Sequence, residues 1–239
     1  MTAVGRGRRV EWAAGSAVVL ALLLAGVATV ASARGDGDDR VTAPSPRTPA
    51  VDSADAGFAR DMAVHHQQAV EMSFIVRDRT RDEEVRRLAY DIANTQANQR
   101  GMMLGWLDLW ELPKAAAGQE PMAWMTGGHG GHTMDGMAGM DGTGAGSGYR
   151  AHDGSLMPGM ATRTELDRLR GASGRAAEVL YLQLMTDHHR GGIDMARGCA
   201  RLCTVKAEKR LAGGMAEAQQ SELDMMAGML AARGAKPRS

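Results

Sequence analysis

Residues 62–72 read MAVHHQQAVEM, and residues 185–195 read MTDHHRGGIDM. Aligning His65 with His188 sets an offset of 123 positions (188 − 65 = 123), and the same offset pairs further residues without a gap. The matched pairs are Phe58/Tyr181, Met62/Met185, His66/His189, Glu71/Asp194, Met72/Met195, Leu88/Leu211, Gln96/Gln219, Met102/Met225, Met103/Met226 and Leu107/Leu230. One ungapped register over roughly 50 residues indicates two copies of one supersecondary unit.

The first copy is predicted to be a helical hairpin. Its first helix runs from about Asp55 to Arg79. Thr80 and Glu83 then match a capping box, in which the two side chains satisfy free amides at the start of a second helix. Pro113 ends that helix.

The second copy has the same organisation. It starts near Gly174, breaks around residues 202–205 and continues to about Ala232. A shorter helix precedes it, defined by Arg163 to Arg170 with Thr162 and Glu165 as its capping box. Because neither hairpin can bury its apolar faces alone, an all-α antiparallel four-helix bundle is predicted.

Composition excludes some functions and raises one question. The chain has 239 residues, 44% of them hydrophobic, and a formal net charge of zero, so no nucleic-acid partner is expected. Methionine is the outlier, with 18 residues against 4 Trp, 3 Tyr and 2 Phe. Flexible thioethers therefore stand where aromatic rings usually fill a core.

The N-terminus has the features of an export signal. Arginines precede an uncharged run over residues 13–33, which closes on Ala31-Ser32-Ala33. An uncleaved membrane anchor is the alternative, since about 20 apolar residues span a bilayer. Either way the remainder is expected outside the cytoplasm. The predicted organisation is signal or anchor 1–33, disordered linker 34–52, first hairpin 53–112, connecting loop 113–161 and second hairpin 162–233.

Potential ligands recur at a spacing of seven residues along the predicted helices. At about 100° per residue, such positions differ by about 20° around the axis and share a face. The pairs are His65 with Met72, His188 with Met195, Gln96 with Met103, and Gln219 with Met226. Facing helices of a bundle are the usual place for a metal site in such proteins.

Core packing is the alternative interpretation for each of these residues. Methionine at helical spacing is more often core filler than ligand, and a lone histidine on an apolar face is more often structural. Two adjacent histidines are harder to explain in this way, because neighbours on a helix point about 100° apart. We therefore infer a functional role for at least one histidine of each copy, among His65, His66, His188 and His189.

The two cysteines, Cys199 and Cys203, are four residues apart at the end of the predicted third long helix. Outside the cytoplasm a disulfide is the default, but a regular helix holds such residues about 6 Å apart with poorly aimed Cβ atoms. A shared metal and a disulfide at a frayed helix end both remain open.

The connecting loop carries a second group of potential ligands. They are Met122 and Met125, His129 and His132, Met134, Met137 and Met140, and Met157 and Met160. Glycine surrounds them, so a flexible arm that captures metal is predicted rather than a core. The alternative is a low-complexity linker in which these residues are incidental. Thioether is a soft ligand that suits Cu(I), or Ag(I) by the same logic, and has little affinity for Mg, Ca or Mn.

The two His-His elements, each followed by a Gln-x-x-Gln/Glu run and a methionine pair, resemble the bacterial domain of unknown function 305 family over about residues 55–232. The resemblance implies a ferritin-like helical bundle outside the cytoplasm, with copper binding or copper resistance in some relatives. By position, the motif residues are His65, His66, Glu71, Met72, His188, His189, Asp194 and Met195.

Three functions are compared. The leading hypothesis is an extracytoplasmic protein that sequesters or delivers Cu(I), or another soft or borderline metal, without turnover. A ferritin-like metal-dependent oxidase is the second, but no Glu or Asp stands three residues before any of the four paired histidines, as di-iron bundles require. The third is a structural or partner-binding module, and a dimer is also conceivable. Histidine ligation predicts that affinity falls below about pH 6.5.

Overall fold

A computed structural model describes residues 48–126 and 149–238. Within these ranges the regular elements are five α-helices and one short 3-10 helix, without a β-strand, which confirms the all-α class. They are α1 (Ala54–Arg79), α2 (Glu83–Leu109), the 3-10 helix (Ala123–Thr126), α3 (Arg163–Gly171), α4 (Gly174–Leu202) and α5 (Lys206–Ala232). In the same ranges, none of the helices combines the length and apolar character needed to cross a membrane. The predicted signal or anchor and most of the predicted linker lie outside the described residues.

The starts of α2 and α3 test the two predicted capping boxes. The box of α3 is confirmed, because the Thr162 hydroxyl accepts from the Glu165 amide and the Glu165 carboxylate accepts from the Thr162 amide. The predicted box of α2 is wrong. Thr80 ends α1 and donates its hydroxyl proton to Glu178 of α4, while Asp82 caps α2 by accepting from the Val85 amide.

The long helices pack in antiparallel pairs. His66 of α1 contacts Gln99 near the middle of α2, and Arg60 near the start of α1 reaches the Pro113 carbonyl beyond the end of α2. In the same way, His189 near the middle of α4 contacts Glu222 of α5, so α4 pairs with α5. The two hairpins meet through α1 and α4, which are antiparallel because Asp55 bonds to Thr204 and Thr80 to Glu178.

Two apolar clusters fill the interior. In α1, residues 56–63 contribute to one cluster and residues 69–76 to the other. In α4 the order is reversed, so Met185 belongs to the second cluster and Met195 to the first. The paired histidines fall between these segments on both helices. Burial of apolar surface on either side therefore carries four polar rings into the core.

The ends of the connecting segment are part of the core, which corrects the prediction of a flexible arm at these positions. Met122 and Met157 are buried, and Met125 and Met160 pack against the same cluster. These four methionines pack in the core or against it, which neither the flexible arm nor the incidental linker predicted. They are held there because Asp61 accepts from the Met122 amide and the Trp124 indole, and Gln68 makes two hydrogen bonds to Ala161.

Gly191 shows how closely this segment approaches α4. A Cβ atom at Gly191 would lie 2.1 Å from the Pro158 carbonyl oxygen, whereas one at Gly213 of α5 would meet nothing within 4 Å. We expect Gly191→Ala to lower the free energy of unfolding by about 1–3 kcal/mol, because backbone must move. The matched control Gly213→Ala is expected to be neutral or to raise it by up to about 1 kcal/mol. Urea denaturation measures both, and equal stability of the two variants would contradict the close approach.

Candidate functional site

The four paired histidines lie together at the α1–α4 contact. His65, His66 and His189 have no exposed surface, and His188 is 1% exposed. The rings of His65 and His188 are stacked, with centroids 3.8 Å apart and planes 34° from parallel. The offset that relates the two copies in sequence thus places its central pair in direct contact.

Hydrogen bonds set the tautomer of three of the four rings. Nε2 of His66 is 2.8 Å from Oε1 of Gln99, and Nε2 of His189 is 2.6 Å from the Glu222 carboxylate. Nε2 of His188 is 3.0 Å from the His65 backbone carbonyl. These oxygens accept, so Nε2 carries the proton in each ring. In a neutral imidazole the Nδ1 atom then presents a lone pair.

The lone pairs have no protein partner. Nδ1 of His66, His188 and His189 is buried without a hydrogen bond. Both ring nitrogens of His65 are also buried without one. The side-chain amide of Gln96 and Oε1 of Gln219, at positions related by the same repeat, are also buried and unpartnered. Buried polar atoms normally find partners, because an unsatisfied one costs about 1–3 kcal/mol.

Burial keeps these rings neutral. It lowers the pKa of His65 to about 3 and of His66 to about 4, and the pKa of His188 falls well below the ordinary value of 6.5. Repulsion between the rings adds to the effect, whereas the Pro158 carbonyl near His65, outside hydrogen-bond geometry, raises its pKa slightly. The prediction that affinity falls just below pH 6.5 assumed an ordinary pKa and is corrected: protonation of His65 and His66 waits until about pH 3–4.

Four methionines predicted as ligands flank the histidines. Met72 and Met226 are fully buried in one apolar cluster, and Met103 and Met195 are fully buried in the other. Each cluster thus contains, of these four methionines, one from each copy of the repeat. They fill the core, and the same placement puts soft donors on both sides of the imidazoles.

The carboxylates of the repeated motif are directed elsewhere. Glu71 forms an ion pair with Arg170 of α3. Partial burial raises the pKa of Asp194, and Arg197 and Arg201 oppose that shift. Gln99 and Glu222 contact the histidines instead. Both belong to the Gln-x-x-Gln/Glu runs and are related by the repeat offset, which is the signal that could have identified them.

Cys199 and Cys203, predicted as possible metal ligands, form a disulfide here, which is one of the two possibilities that the sequence left open. The pair meets at the end of α4, where Cys203 is the C-cap residue and has left the helical conformation. That departure brings the sulfurs within bonding distance. The remaining predicted ligands, His129, His132, Met134, Met137 and Met140, lie outside the described residues.

Close groups of three protein ligand atoms are rare in the described part of the chain. Only Cys199, Cys203 and Glu208 bring His, Cys, Asp or Glu ligand atoms within 4.8 Å of one another there. The paired histidines do not form such a group in these ranges. They offer nitrogen donors from facing helices, and an ion between them would require ring rotation.

Fold and site together define an all-helical protein with a buried centre of imidazole and thioether groups. The sequence matches the domain of unknown function (DUF305) family over residues 55–230, and the chain belongs to that family. No curated protein matches it.

The solved structures that are similar to this chain include the following three. A DUF305 protein from Streptomyces coelicolor, described as secreted, is 59% identical, with a TM-score of 0.66 over 80% of this chain and 99% of its own. A DUF305 fragment from Deinococcus radiodurans is 24% identical, with a TM-score of 0.53 over 74% and 94%. CopM in its Cu(I)-bound form is 18% identical, with a TM-score of 0.49 over 72% and 91%. The second likeness concerns the fold alone, and nothing about copper is carried over from CopM.

Proposed function

We propose that this protein binds Cu(I) outside the cytoplasm, to sequester it or deliver it, through the paired histidines of a ferritin-like antiparallel four-helix bundle. The supporting observation is the set of buried, unpartnered ring nitrogens on His65, His66, His188 and His189. The antiparallel contacts of α1 with α2 and α4, and of α4 with α5, support the bundle.

A purely structural role accounts poorly for these rings. Buried histidines kept as hydrogen bonders should have both nitrogens satisfied, and His65 has neither. The neutral state of His65, His66 and His188 leaves lone pairs that a cation can accept without first displacing protons. Glu222 and Gln99 hold the opposite nitrogens of His189 and His66, which is the outer contact that orients metal-bound imidazoles.

The donor types favour a soft ion. Imidazole suits copper, and thioether selects Cu(I), with Ag(I) as its closest chemical analogue. The motif carboxylates Glu71 and Asp194 are engaged with arginines, so no pair of bridging carboxylates supports a di-iron centre among the described residues. A copper-dependent oxidase is the second candidate, favoured by the Glu222 carboxylate beside His189, which could accept a proton.

The connecting loop and the N-terminal segment have the roles of capture and export in the proposed function. The loop residues His129, His132, Met134, Met137 and Met140 would collect Cu(I) through weaker donors and pass it to the bundle. Export would place the protein beyond the cytoplasmic membrane, secreted or anchored by residues 13–33. The secreted description of the Streptomyces coelicolor relative supports this placement.

Anaerobic titration with Cu(I) against a competing chromophoric chelator tests the proposal. The protein would be residues 34–239 with its disulfide intact, compared with a variant lacking 127–148, which keeps the core methionines in place. We expect both to bind tightly and to unfold at higher temperature when loaded. At a free-ion concentration a thousandfold above Kd, the added stability is about 4 kcal/mol.

The outcomes separate the two parts of the proposal. Equal binding by both proteins assigns the main site to the bundle, whereas binding lost with the loop assigns it to the capture arm. Absence of binding to either protein would reject the copper function. Oxygen consumption by the loaded protein, followed with an electrode, would support the oxidase instead.

A further inference from the structure

A second potential metal site lies at the opposite end of the α1–α4 contact from Thr80. Cys203 ends α4, and Glu208 lies in the first turn of α5. The sulfurs of Cys199 and Cys203 and a carboxylate oxygen of Glu208 lie within 4.8 Å of one another. The three residues are 0%, 2% and 0% exposed. Cys199 follows His188 by eleven residues, roughly 16 Å along a helix, so this group is separate from the histidines.

Glu208 is a buried carboxyl group beside Asp55. Its carboxyl group contacts Asp55, and neither of its oxygens has a further hydrogen-bond partner among the described residues. Asp55 is the nearest acidic group, and its own oxygens accept from the amides of Thr204 and Val205 and from the Thr204 hydroxyl. Burial, the charge of Asp55 and a hydrogen bond with Asp55 raise the pKa of Glu208 to about 9, so it is neutral at pH 7. A carboxyl group is thus held against a disulfide at a cost in stability.

We propose that reducing the Cys199–Cys203 disulfide creates a buried site for a thiophilic divalent cation such as Zn²⁺, with two thiolates and the Glu208 carboxylate as ligands. Sulfur and oxygen donors in this combination suit a borderline-soft ion. Bonds of about 2.3 Å to sulfur and 2.0–2.2 Å to oxygen place tetrahedral ligands about 3.5–3.8 Å apart. The present spacing therefore requires only small side-chain shifts.

The reductant is a dithiol. One of its thiolates attacks a cysteine sulfur and forms a mixed disulfide, and the other cysteine leaves as a thiolate. The second thiol of the reductant then displaces the first cysteine. The dithiol loses two electrons and two protons and becomes a disulfide, while Cys199 and Cys203 gain them as thiols. Zn²⁺ then displaces one proton from each thiol and one from Glu208.

The site depends on redox state and is independent of the proposed copper function. In the oxidised protein the sulfurs are bonded to each other and have no thiolate to offer. After reduction, the ligands come from the end of α4 and the start of α5, which Asp55 ties to the first turn of α1. The cation would replace the disulfide as the link at this junction.

Cd²⁺ titration of the intact protein tests this proposal, because thiolate-to-cadmium charge transfer absorbs in the ultraviolet. Protein reduced with dithiothreitol and freed of it anaerobically is compared with oxidised protein. We expect one Cd²⁺ per reduced chain with thiolate absorption, about three protons released, displacement by excess Zn²⁺, and no such signal from oxidised protein. Titratable thiols and far-ultraviolet circular dichroism establish that the protein is reduced and folded.

Two variants make the test specific. Glu208→Gln preserves shape and neutrality, and we expect at least tenfold weaker Cd²⁺ binding with one proton fewer released, whereas Glu217→Gln on the exposed face of α5 should match wild type. Equal affinity of Glu208→Gln and wild type, equal binding by oxidised protein, or unfolding on reduction would each overturn the proposal. A His65→Leu/His188→Leu variant that still takes up Cd²⁺ distinguishes this site from the copper centre.

Discussion

Replacing His65 and His188 together with leucine is expected to weaken Cu(I) binding by at least about a hundredfold while leaving the unloaded protein as stable as wild type or more stable. Removing groups that only orient metal-bound histidines already costs about 10–100-fold, so removing two ligands costs more. Leucine has a similar volume, and it replaces three ring nitrogens that lack protein partners, both of His65 and Nδ1 of His188, at the cost of the single bond from His188 Nε2 to the His65 carbonyl. Relief of an unsatisfied buried polar atom is worth about 1–3 kcal/mol.

Weaker Cu(I) binding together with unchanged or higher stability would distinguish a metal site from a structural histidine pair. If the rings served packing or hydrogen bonding alone, the double variant would lose stability and copper affinity would not change. His152→Leu is the matched control, because His152 is exposed and lies outside the histidine cluster. Chelator competition and urea denaturation are the two measurements. Unchanged Cu(I) affinity in the double variant would remove the paired histidines from the proposed function.

Acid is expected to destabilise the unloaded protein well above the pH at which carboxylates are usually protonated. The unfolded chain binds protons on histidine below about pH 6.5, but the folded protein keeps His65, His66 and His188 neutral, with pKa values of about 3 for His65 and about 4 for His66. The stability contribution is therefore complete above pH 6.5 and is lost as pH falls. Each ring lowers the free energy of unfolding by up to ~1.4 kcal/mol for each unit by which the pH falls.

Between pH 6.5 and 5 the three rings together should lower the free energy of unfolding by about 4–5 kcal/mol, a large part of the 5–15 kcal/mol typical of a domain. Urea denaturation across this range measures it. The His65→Leu/His188→Leu variant removes two of the three rings, so its pH dependence should fall to about a third. Constant stability of the wild type from pH 6.5 to 5 would show that the rings are already charged or accessible in the folded protein.

Local sequence signals predicted the helices well, and nonlocal contacts explain the exceptions. The capping box of α3 was predicted correctly because both partners, Thr162 and Glu165, lie within one turn. The same pattern failed at Thr80, because Glu178, on a different helix, takes its hydroxyl. Glycine-rich surroundings predicted a flexible arm, but Met157 is buried. Gln68 of α1 bonds to the adjoining segment, and Gly191 of α4 has no side chain to prevent its close approach.

The repeat predicted which histidines lie together inside the fold but not their chemical state. His65 and His188 were expected on facing helices, and they are stacked. Their neutral form below pH 6.5 could not be predicted, because a pKa shift of this kind depends on complete burial. The roles of Gln99 and Glu222 likewise required the pairing of α1 with α2 and of α4 with α5.

The sequence by itself determined the helical class, the two related halves and the donor types, because periodicity, repeat register and composition are properties of the chain alone. The tertiary structure decided which donors are free to bind an ion. It placed Nδ1 of the paired histidines among buried apolar groups without partners, joined Cys199 to Cys203 and left Glu208 beside them. Partnership, burial and protonation arise only when segments distant in sequence come into contact, since each depends on what surrounds an atom rather than on what precedes it in the chain.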